Sequence, residues 1–202
     1  MIAAILIISH SEIRGVIKTI KPAVNIWSVS VPVPIPNIHP AMESMVSVEE
    51  AFQRYGDRVF SAAFSICQTK EDADDTVQDT FLKYYTQNAD YIDETHLKAW
   101  LLRVAINRAK DITGAFWRRN RVSWEDYMDE LEFQEPEDRS LFEAVMRLPE
   151  KYRIVIHLFY YEEYSIEEIS ATLRSHPGTV KSRLSRGRKL LKSMLTEAQR
   201  HD

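Results

Sequence analysis

The side chains with the clearest chemistry in this 202-residue chain are basic and hydroxyl groups that share one face of a predicted helix over residues 177–195. At about 100° of rotation per residue, one face of that helix collects Lys181, Ser182, Ser185, Arg186 and Lys189. Arginine and lysine read guanine edges in the major groove of DNA, and serine reads several bases. The flanking Thr179, Arg183 and Arg188 suit phosphates instead. This helix therefore predicts contact with duplex DNA.

The residues before this helix predict a helix-turn-helix. Ser165 and Glu168 have the spacing of a capping box, which begins a short helix over 166–173. A tight connection follows over 174–176, and Pro177 suits the first turn of the second helix because its missing N–H has no partner to lose. On the inward face of the second helix, Gly187 allows another helix to approach closely. Two short helices joined in this way are typical of DNA-binding proteins.

A second candidate binding surface lies on a predicted helix over residues 95–117, which is apolar except for one narrow stripe. The stripe consists of Arg103, Asn107, Lys110, Asp111 and Gly114. A polar stripe on an otherwise buried helix favours a binding role. Arg108 falls inside the apolar face, where an unpaired cation is costly, so we expect a structural salt bridge there.

The predicted helix before it, over residues 71–87, presents a different surface. Its buried side is predicted to consist of Ala73, Val77, Thr80, Phe81 and Tyr84. Its opposite side is predicted to expose Asp75, Gln78, Asp79 and Leu82. An apolar side chain beside a compact acidic face indicates a protein partner, because acids repel DNA.

The order of the charges is more informative than their sum. A net charge of −4 by itself argues against a nucleic-acid binder. Residues 98–121, however, hold seven bases and one acid, and residues 174–192 hold seven bases and no acid. Between these two basic blocks, residues 122–138 hold eight acids and no base. The pattern predicts two basic surfaces joined by an acidic, flexible linker.

The composition gives no support to a catalytic or metal centre. The single cysteine, Cys67, excludes an internal disulfide and a cysteine-rich zinc finger, and it favours a reducing, cytoplasmic setting. The six histidines are dispersed, and neither a glycine-rich phosphate loop nor a nucleophile elbow occurs. We therefore expect no enzyme activity, no cofactor, no metal and no small-molecule substrate.

An all-α fold is predicted, because glycines are few and apolar residues recur at spacings of three and four. The predicted helices cover residues 48–67, 71–87, 95–117, 139–147, 150–162, 166–173 and 177–195. We expect the first three to form a domain over 45–120 and the last four a domain over 139–196, with a linker over 121–138 and a tail over 197–202.

Residues 1–44 are predicted to be a disordered extension, since they carry five of the eight prolines. Their opening apolar run of eight residues is far shorter than the roughly 20 that span a bilayer. No base precedes that run, so we expect neither a signal peptide nor membrane insertion. Met42 or Met45 is a candidate for the native start.

Four blocks of the sequence resemble the bacterial sigma-70 family of RNA polymerase sigma factors, and specifically its small extracytoplasmic function group. The resemblance covers roughly residues 46–196, and four blocks in the family's order are more specific than one helix-turn-helix. The blocks are DADDTVQDTFLKYY, HLKAWLLRVAINRAKD, LPEKYRIVIHLFYYEEYSIEEIS and GTVKSRLSRGRKLL.

The resemblance implies a sigma region 2 domain of three or four helices and a sigma region 4 helix-turn-helix domain, with core RNA polymerase, promoter DNA and an anti-sigma factor as partners. Asp75, Gln78, Asp79 and Leu82 match the polymerase-binding positions. Region 4 would read the minus-thirty-five duplex. The candidates for the melted minus-ten strand are His96, Lys98, Arg103, Asn107, Lys110, Arg118 and Arg119, with Arg121 as a further phosphate contact. The sequence departs from the family pattern at Ser175 and His176, and at Thr113 and Gly114.

Two other functions remain open from the sequence. A stand-alone helix-turn-helix regulator would bind duplex DNA by the same motif, but it would not need the acidic face with Leu82. A DNA-processing enzyme such as a recombinase would need a nucleophile or paired carboxylates facing the DNA, and Asp111 alone is thin support for one.

Overall fold

The computed structural model describes residues 46–87, 93–116, 124–128, 133 and 136–198. Within these ranges the chain forms eight α-helices and no β-strand, so the predicted all-α fold is confirmed. The helices are α1 Val48–Cys67, α2 Lys70–Thr86, α3 Glu94–Phe116, α4 Trp124–Met128, α5 Pro136–Arg147, α6 Glu150–Tyr160, α7 Ile166–Leu173 and α8 Pro177–Ala198. The predicted extension over residues 1–44 lies outside the described residues.

The first three helices begin and end within one residue of the predicted bounds. Short polar side chains begin all three: Ser47 Oγ accepts a hydrogen bond from the Glu50 N–H at 3.1 Å, Thr69 Oγ1 accepts one from the Asp72 N–H at 3.4 Å, and Asp93 Oδ1 accepts one from the His96 N–H at 2.7 Å. Each bond satisfies a backbone donor that the first turn of a helix leaves without a partner. These helix starts are therefore fixed by local sequence.

Helices α1, α2 and α3 pack around their own apolar core. The ring of Phe52 on α1 meets the ring of Phe81 on α2 edge to face, with centroids 5.1 Å apart. The predicted buried side of α2 is confirmed, since its five residues are at most 6% exposed. The buried members of this core are Ala51, Tyr55, Val59, Val77, Phe81, Tyr84, Leu97, Leu101 and Ala105.

Helices α5 to α8 form the second group, in which α8 packs closely on α6. A Cβ atom placed on Gly187 would lie 3.1 Å from Cγ1 of Ile156 and 3.5 Å from Cβ of Tyr152. The predicted close helix approach at Gly187 is therefore observed. Val180, Leu184 and Leu191 are buried on the same face of α8.

The two groups of helices also share a core, which the sequence did not indicate. One continuous apolar cluster contains Phe64, Ile66 and Leu102 from the first group together with Leu148, Ile154 and Leu158 from the second. The buried Arg153 of α6 strengthens this contact, since its Nε donates to the carbonyl of Ser65 on α1 at 2.5 Å and its Nη1 donates to the carbonyl of Met146 at 2.5 Å. In this structure the two groups are therefore packed against each other.

Helix α4 lies within the segment predicted as an acidic linker, and the charge pattern did not predict it. Its Trp124 ring lies edge-on to Phe142 with centroids 6.4 Å apart, and Met128 is 3% exposed. Packing of these two apolar residues, four positions apart on one helical face, outweighs the surrounding acids. The apolar pair is one sequence signal for this helix, and the spacing of Ser123 and Asp126 is another.

Helix α6 ends at Tyr160, two residues before its predicted end. The N–H groups of Tyr161 and Glu162 both bond to the carbonyl of His157, at 2.8 and 3.3 Å. Glu163 then adopts a left-handed conformation with φ of 60°, which ordinary side chains rarely enter. This turn leaves the side chain of Glu162 buried between the two groups of helices.

Candidate nucleic-acid interface

The outer face of α8 presents the five polar side chains that its spacing predicted. Lys181, Ser182, Ser185, Arg186 and Lys189 are all exposed. On the flanks, Thr179 and Arg188 are exposed and Arg183 is half-buried. The guanidinium carbon of Arg188 lies 5.4 Å from the ring centroid of Phe159 and 5.8 Å from that of Tyr160. These cation–π contacts orient Arg188 beside the face rather than on it.

The predicted capping box begins α7. Ser165 Oγ accepts from the Glu168 N–H at 3.2 Å, and Glu168 Oε2 accepts from the Ser165 N–H at 2.7 Å. The hydroxyl of Ser165 and then its backbone N–H hold the pKa of the Glu168 carboxyl below its ordinary value of 4.5. The first helix of the helix-turn-helix is therefore fixed at its start.

The turn itself is closed by hydrogen bonds to the backbone carbonyl of Ser175 and to the side chain of His176, the two positions that depart from the family pattern. The carbonyl of Ser175 accepts from Ser170 Oγ at 2.5 Å. His176 Nδ1 accepts from the Gly178 N–H at 3.1 Å, in the first turn of α8. Ser175 and His176 thus stabilise the turn through hydrogen bonds, and α8 begins at Pro177 as predicted.

The polar stripe of α3 is only partly open to solvent. Asn107, Asp111 and Gly114 are exposed, whereas Arg103 and Lys110 are half-buried. Arg103 Nη2 donates to the carbonyl of Ala171 on α7 at 3.2 Å. One of the predicted strand-binding cations is therefore engaged by the second group of helices.

Lys98, the next predicted cation on α3, is engaged by the same group through Glu162. Lys98 Nζ lies 2.7 Å from Glu162 Oε2 and donates to the backbone carbonyl of Glu162 at 3.2 Å. Arg58 on α1 reaches the same oxygen, with its Nη1 at 2.9 Å. Sequence reasoning missed both Arg58 and Glu162, and an acid at the end of the apolar run 150–162 was the only signal for this ion pair.

His157 lies beside this cluster and is buried, as expected of a core residue. Burial lowers the pKa of His157 to about 4, even though the nearby Glu162 acts in the opposite direction. The imidazole is therefore neutral at pH 7. It follows that the charge of Glu162 is balanced by Lys98 and Arg58 rather than by His157.

Of the remaining predicted minus-ten residues, His96 belongs to the part of the chain that the structure describes. His96 is exposed in the first turn of α3. Arg118, Arg119 and Arg121 lie outside the described residues.

The outer face of α2 is acidic with an apolar centre. Asp75 and Gln78 are exposed, and the side chain of Leu82 is 60% exposed. Tyr85, which the sequence analysis did not single out, is 58% exposed on the same helix. A large exposed leucine and tyrosine on an acidic helix form a surface suited to a protein partner.

Arg108 forms the predicted salt bridge, but its predicted burial is wrong. Its Nε lies 2.5 Å from Asp79 Oδ2, and the two side chains are 46% and 43% exposed. The long arginine side chain reaches from the edge of the apolar face of α3 across to α2, so its charge stays near water. The pair ties the acidic face of α2 to α3.

Metal sites and membrane spans are both absent from the described residues. No three His, Cys, Asp or Glu side chains in this part of the chain are grouped as a metal ion would require. None of the described helices is long and apolar enough to cross a membrane.

Comparisons with known proteins agree with this arrangement of helices. The profile of Sigma-70 region 2 matches residues 51–122, and that of Sigma-70, region 4 matches residues 138–191. Over 137 residues the chain is 31% identical to the ECF RNA polymerase sigma-E factor of Salmonella typhimurium, covering 59% of this chain and 72% of that factor. The chain belongs to the sigma-70 family, in its extracytoplasmic function group.

This sigma factor is also similar to one longer relative and, in fold, to a solved sigma factor. It is 30% identical over 168 residues to the ECF RNA polymerase sigma factor SigE of Mycolicibacterium smegmatis, covering 76% of this chain but 63% of the length of SigE. In fold it resembles the sigma factor RpoE of Bartonella quintana, solved in complex with the anti-sigma factor NepR. The TM-score is 0.58 at 22% identity, over 73% of this chain and 96% of that one.

Removing the capping hydroxyl should destabilise this sigma factor in a pH-dependent way. We expect Ser165→Ala to lower the free energy of unfolding by about 1 kcal/mol at neutral pH, and to raise the pKa of Glu168 toward 4.5. The folded-state pKa of Glu168 is depressed, so its contribution is present above the unfolded pKa and is lost as pH falls through the folded value. Urea unfolding near neutral pH and near pH 3, with an NMR titration of Glu168, measures both effects.

Ser185→Ala, at an exposed position within α8, is the matched control and should change stability little at either pH. An equal loss of stability for Ser165→Ala at both pH values would show that the carboxylate takes no part in the cap.

Proposed function

We propose that this sigma factor binds bacterial core RNA polymerase and directs transcription initiation through two promoter contacts, one from each group of helices. Residues 45–120 would bind the polymerase and contact the minus-ten element. Residues 139–196 would contact the minus-thirty-five element. The observation that carries the proposal is the exposed basic and hydroxyl face of α8, on a capped helix-turn-helix, in a chain that matches both sigma regions.

The outer face of α8 would enter the major groove of the minus-thirty-five element. Arg186 and the lysines would read guanine edges, and the serines would add hydrogen bonds to other bases. Thr179, Arg183 and Arg188 would contact phosphates, which fix the register without specifying sequence. Within the described residues, α8 carries no acid before Glu197, so its groove-facing part does not repel the DNA backbone.

The first group of helices would hold the melted minus-ten strand. Opening a duplex costs stacking and pairing energy, which a protein can offset by capturing an extruded base and by holding the backbone on positive charge. The residues that we assign to this contact are His96, Lys98, Arg103, Asn107, Lys110, Arg118 and Arg119. Asn107 offers an amide to a base edge, and the cations suit phosphates.

The acidic face of α2 would dock on the polymerase. Asp75 offers charge to a basic partner surface, Asp79 would share its charge between that surface and Arg108, and Gln78 offers hydrogen bonds. Leu82 supplies an apolar side chain that can be buried at the centre of such an interface. A stand-alone regulator of duplex DNA would not require this face.

The lack of a cofactor, the cytoplasmic location and an anti-sigma partner are also part of the proposal. The polymerase would carry out the chemistry, and this chain would contribute recognition without a cofactor, in the cytoplasm where promoter DNA lies. A solved sigma factor of the same fold is in complex with an anti-sigma factor, and we extend that kind of partner to this chain.

Run-off transcription with bacterial core RNA polymerase and a promoter library tests the proposal. We expect promoter-dependent transcripts with the wild-type chain. Leu82→Ala should weaken core binding by about 1 kcal/mol or more, and transcripts should fall at limiting sigma concentration. Leu190→Ala, which truncates another exposed leucine, on α8, is the matched control and should leave core binding within twofold. Absence of both core binding and promoter-dependent transcripts would refute the proposed function.

Two arginines two positions apart on α8 should respond differently to truncation. We expect Arg186→Ala to cost about 1 to 3 kcal/mol at the minus-thirty-five site and to relax base preference there. Arg188→Ala should weaken binding to all sequences alike and reduce the salt slope by about one. Binding titrations against the selected site and its point variants, at several salt concentrations, measure both effects. Equal losses on every sequence for both variants would mean that the reading face has been misassigned.

A further inference from the structure

His176 precedes α8 and holds its imidazole ring over Gly178. The ring accepts a hydrogen bond at Nδ1 from the Gly178 N–H, at 3.1 Å. A Cβ atom placed on Gly178 would lie 3.2 Å from Nδ1 and 3.6 Å from Cε1 of this ring. The imidazole therefore occupies the place where a side chain at position 178 would begin.

Position 178 belongs to the outer face of α8. Gly178 precedes Lys181 by three residues and Ser182 by four, and residues at these spacings are neighbours on one side of a helix. The exposed ring of His176 therefore extends that face at its N-terminal end. In helix-turn-helix proteins, the N-terminal residues of the second helix contact base edges. His176 thus lies where bases are read, although it precedes the helix.

The bond to Gly178 determines which ring nitrogen of His176 carries the proton. A ring nitrogen that accepts a hydrogen bond has no proton, so in the neutral imidazole the proton lies on Nε2. Nε2 has no hydrogen-bond partner among the residues that the structure describes. The exposed ring therefore offers one oriented N–H donor to a ligand.

Backbone positions 177–180, at the start of α8, leave no N–H group free for DNA. Pro177 has no N–H, and the N–H of Gly178 is bonded to the ring of His176. The N–H groups of Thr179 and Val180 both bond to the backbone carbonyl of His176, at 2.9 and 3.2 Å. Side chains must therefore supply the hydrogen bonds to DNA at this end of the helix.

We infer that His176 is a specificity-determining residue of the minus-thirty-five contact, and that its Nε2–H donates to an acceptor on a base edge. In the major groove, guanine offers N7 and O6, adenine N7 and thymine O4, whereas cytosine presents a donor. A lone N–H donor therefore disfavours cytosine at the base that it faces. The inference rests on the proposed function, since it needs the outer face of α8 to enter the minus-thirty-five duplex.

Asparagine and glutamine at position 176 separate the roles of the two ring nitrogens. In His176→Asn, the amide oxygen takes the position of Nδ1 and accepts from the Gly178 N–H, but no atom takes the position of Nε2. In His176→Gln, the longer amide places a donor near the position of Nε2, but the bond to Gly178 is lost. The two variants are therefore matched controls for each other.

The test uses holoenzyme assembled from core RNA polymerase and the full-length chain, with a promoter library randomised at the minus-thirty-five element. The bound promoters are sequenced. We expect wild type to disfavour cytosine about fivefold at one position at the edge of the element, which is the effect of one ordinary hydrogen bond. His176→Asn should abolish this bias without altering the bias at the other positions, and His176→Gln should retain it.

A purely structural role for His176 predicts the opposite ranking of the two variants. His176→Asn would then match wild type on every sequence, because the bond to Gly178 is kept. His176→Gln would lose affinity for all sequences alike, because the turn is weakened. Either result would overturn the role of His176 in reading a base.

Gly178→Ala provides a second route to the same result, since its Cβ would displace the imidazole. Alanine favours helices more than glycine does, so α8 should remain formed, as circular dichroism would check. The cytosine bias should nevertheless be lost as in His176→Asn. A wild-type bias in Gly178→Ala would contradict a ring that must lie over position 178.

Run-off transcription separates failure of this assignment from failure of the proposed function. Absence of promoter-dependent transcripts with the wild-type chain would overturn the proposed function. Promoter-dependent transcripts from wild type, with one and the same sequence bias in all four chains, would overturn the role of His176 alone.

Discussion

The buried carboxylate of Glu162 helps to fix how the two groups of helices lie against each other, together with the apolar cluster that they share and the buried Arg153. A charge without access to water is stable only when it is paired closely, and here Lys98 from α3 and Arg58 from α1 pair with the same oxygen. This pairing requires α6 to end early and Glu163 to be left-handed. The face of α3 that carries Arg103 is thereby brought against α7.

The charge pattern of the whole chain reflects a related electrostatic requirement, which is that DNA-binding bases lie on surfaces apart from the acids. A chain with a net charge of −4 can bind DNA only if its bases are sorted onto separate faces, and the helical period does that sorting on α8. The acids of α2 are sorted away from those faces, onto a surface with Leu82 and Tyr85. Glu162 lies against Lys98, one of the cations of α3 that we assign to promoter DNA.

Much of the fold could be predicted from local sequence, and the contacts between distant residues could not. The capping box at Ser165, the start of α8 at Pro177 and the faces of α8 depend on residues within a few positions of one another. The pairing of Glu162 with Arg58 spans 104 positions, and the helical spacing of the sequence does not indicate such a long-range contact. Helix α4 was missed because packing of Trp124 and Met128 outweighs the acids, and Arg108 was misplaced because helical spacing does not show how far a long side chain reaches.

The most direct test of the closed arrangement is the distance between the two groups, measured by single-molecule fluorescence energy transfer. Gln53→Cys on α1 and Lys192→Cys on α8 are exposed labelling sites, and burial raises the pKa of the native Cys67 thiol to about 12, so that thiol reacts little. The chain alone should show one short distance, which lengthens by about 40 Å in the complex with core polymerase and promoter DNA. A long distance in the chain alone would contradict the packing of the two groups against each other, and the same short distance in both states would contradict two promoter contacts made by separate groups of helices.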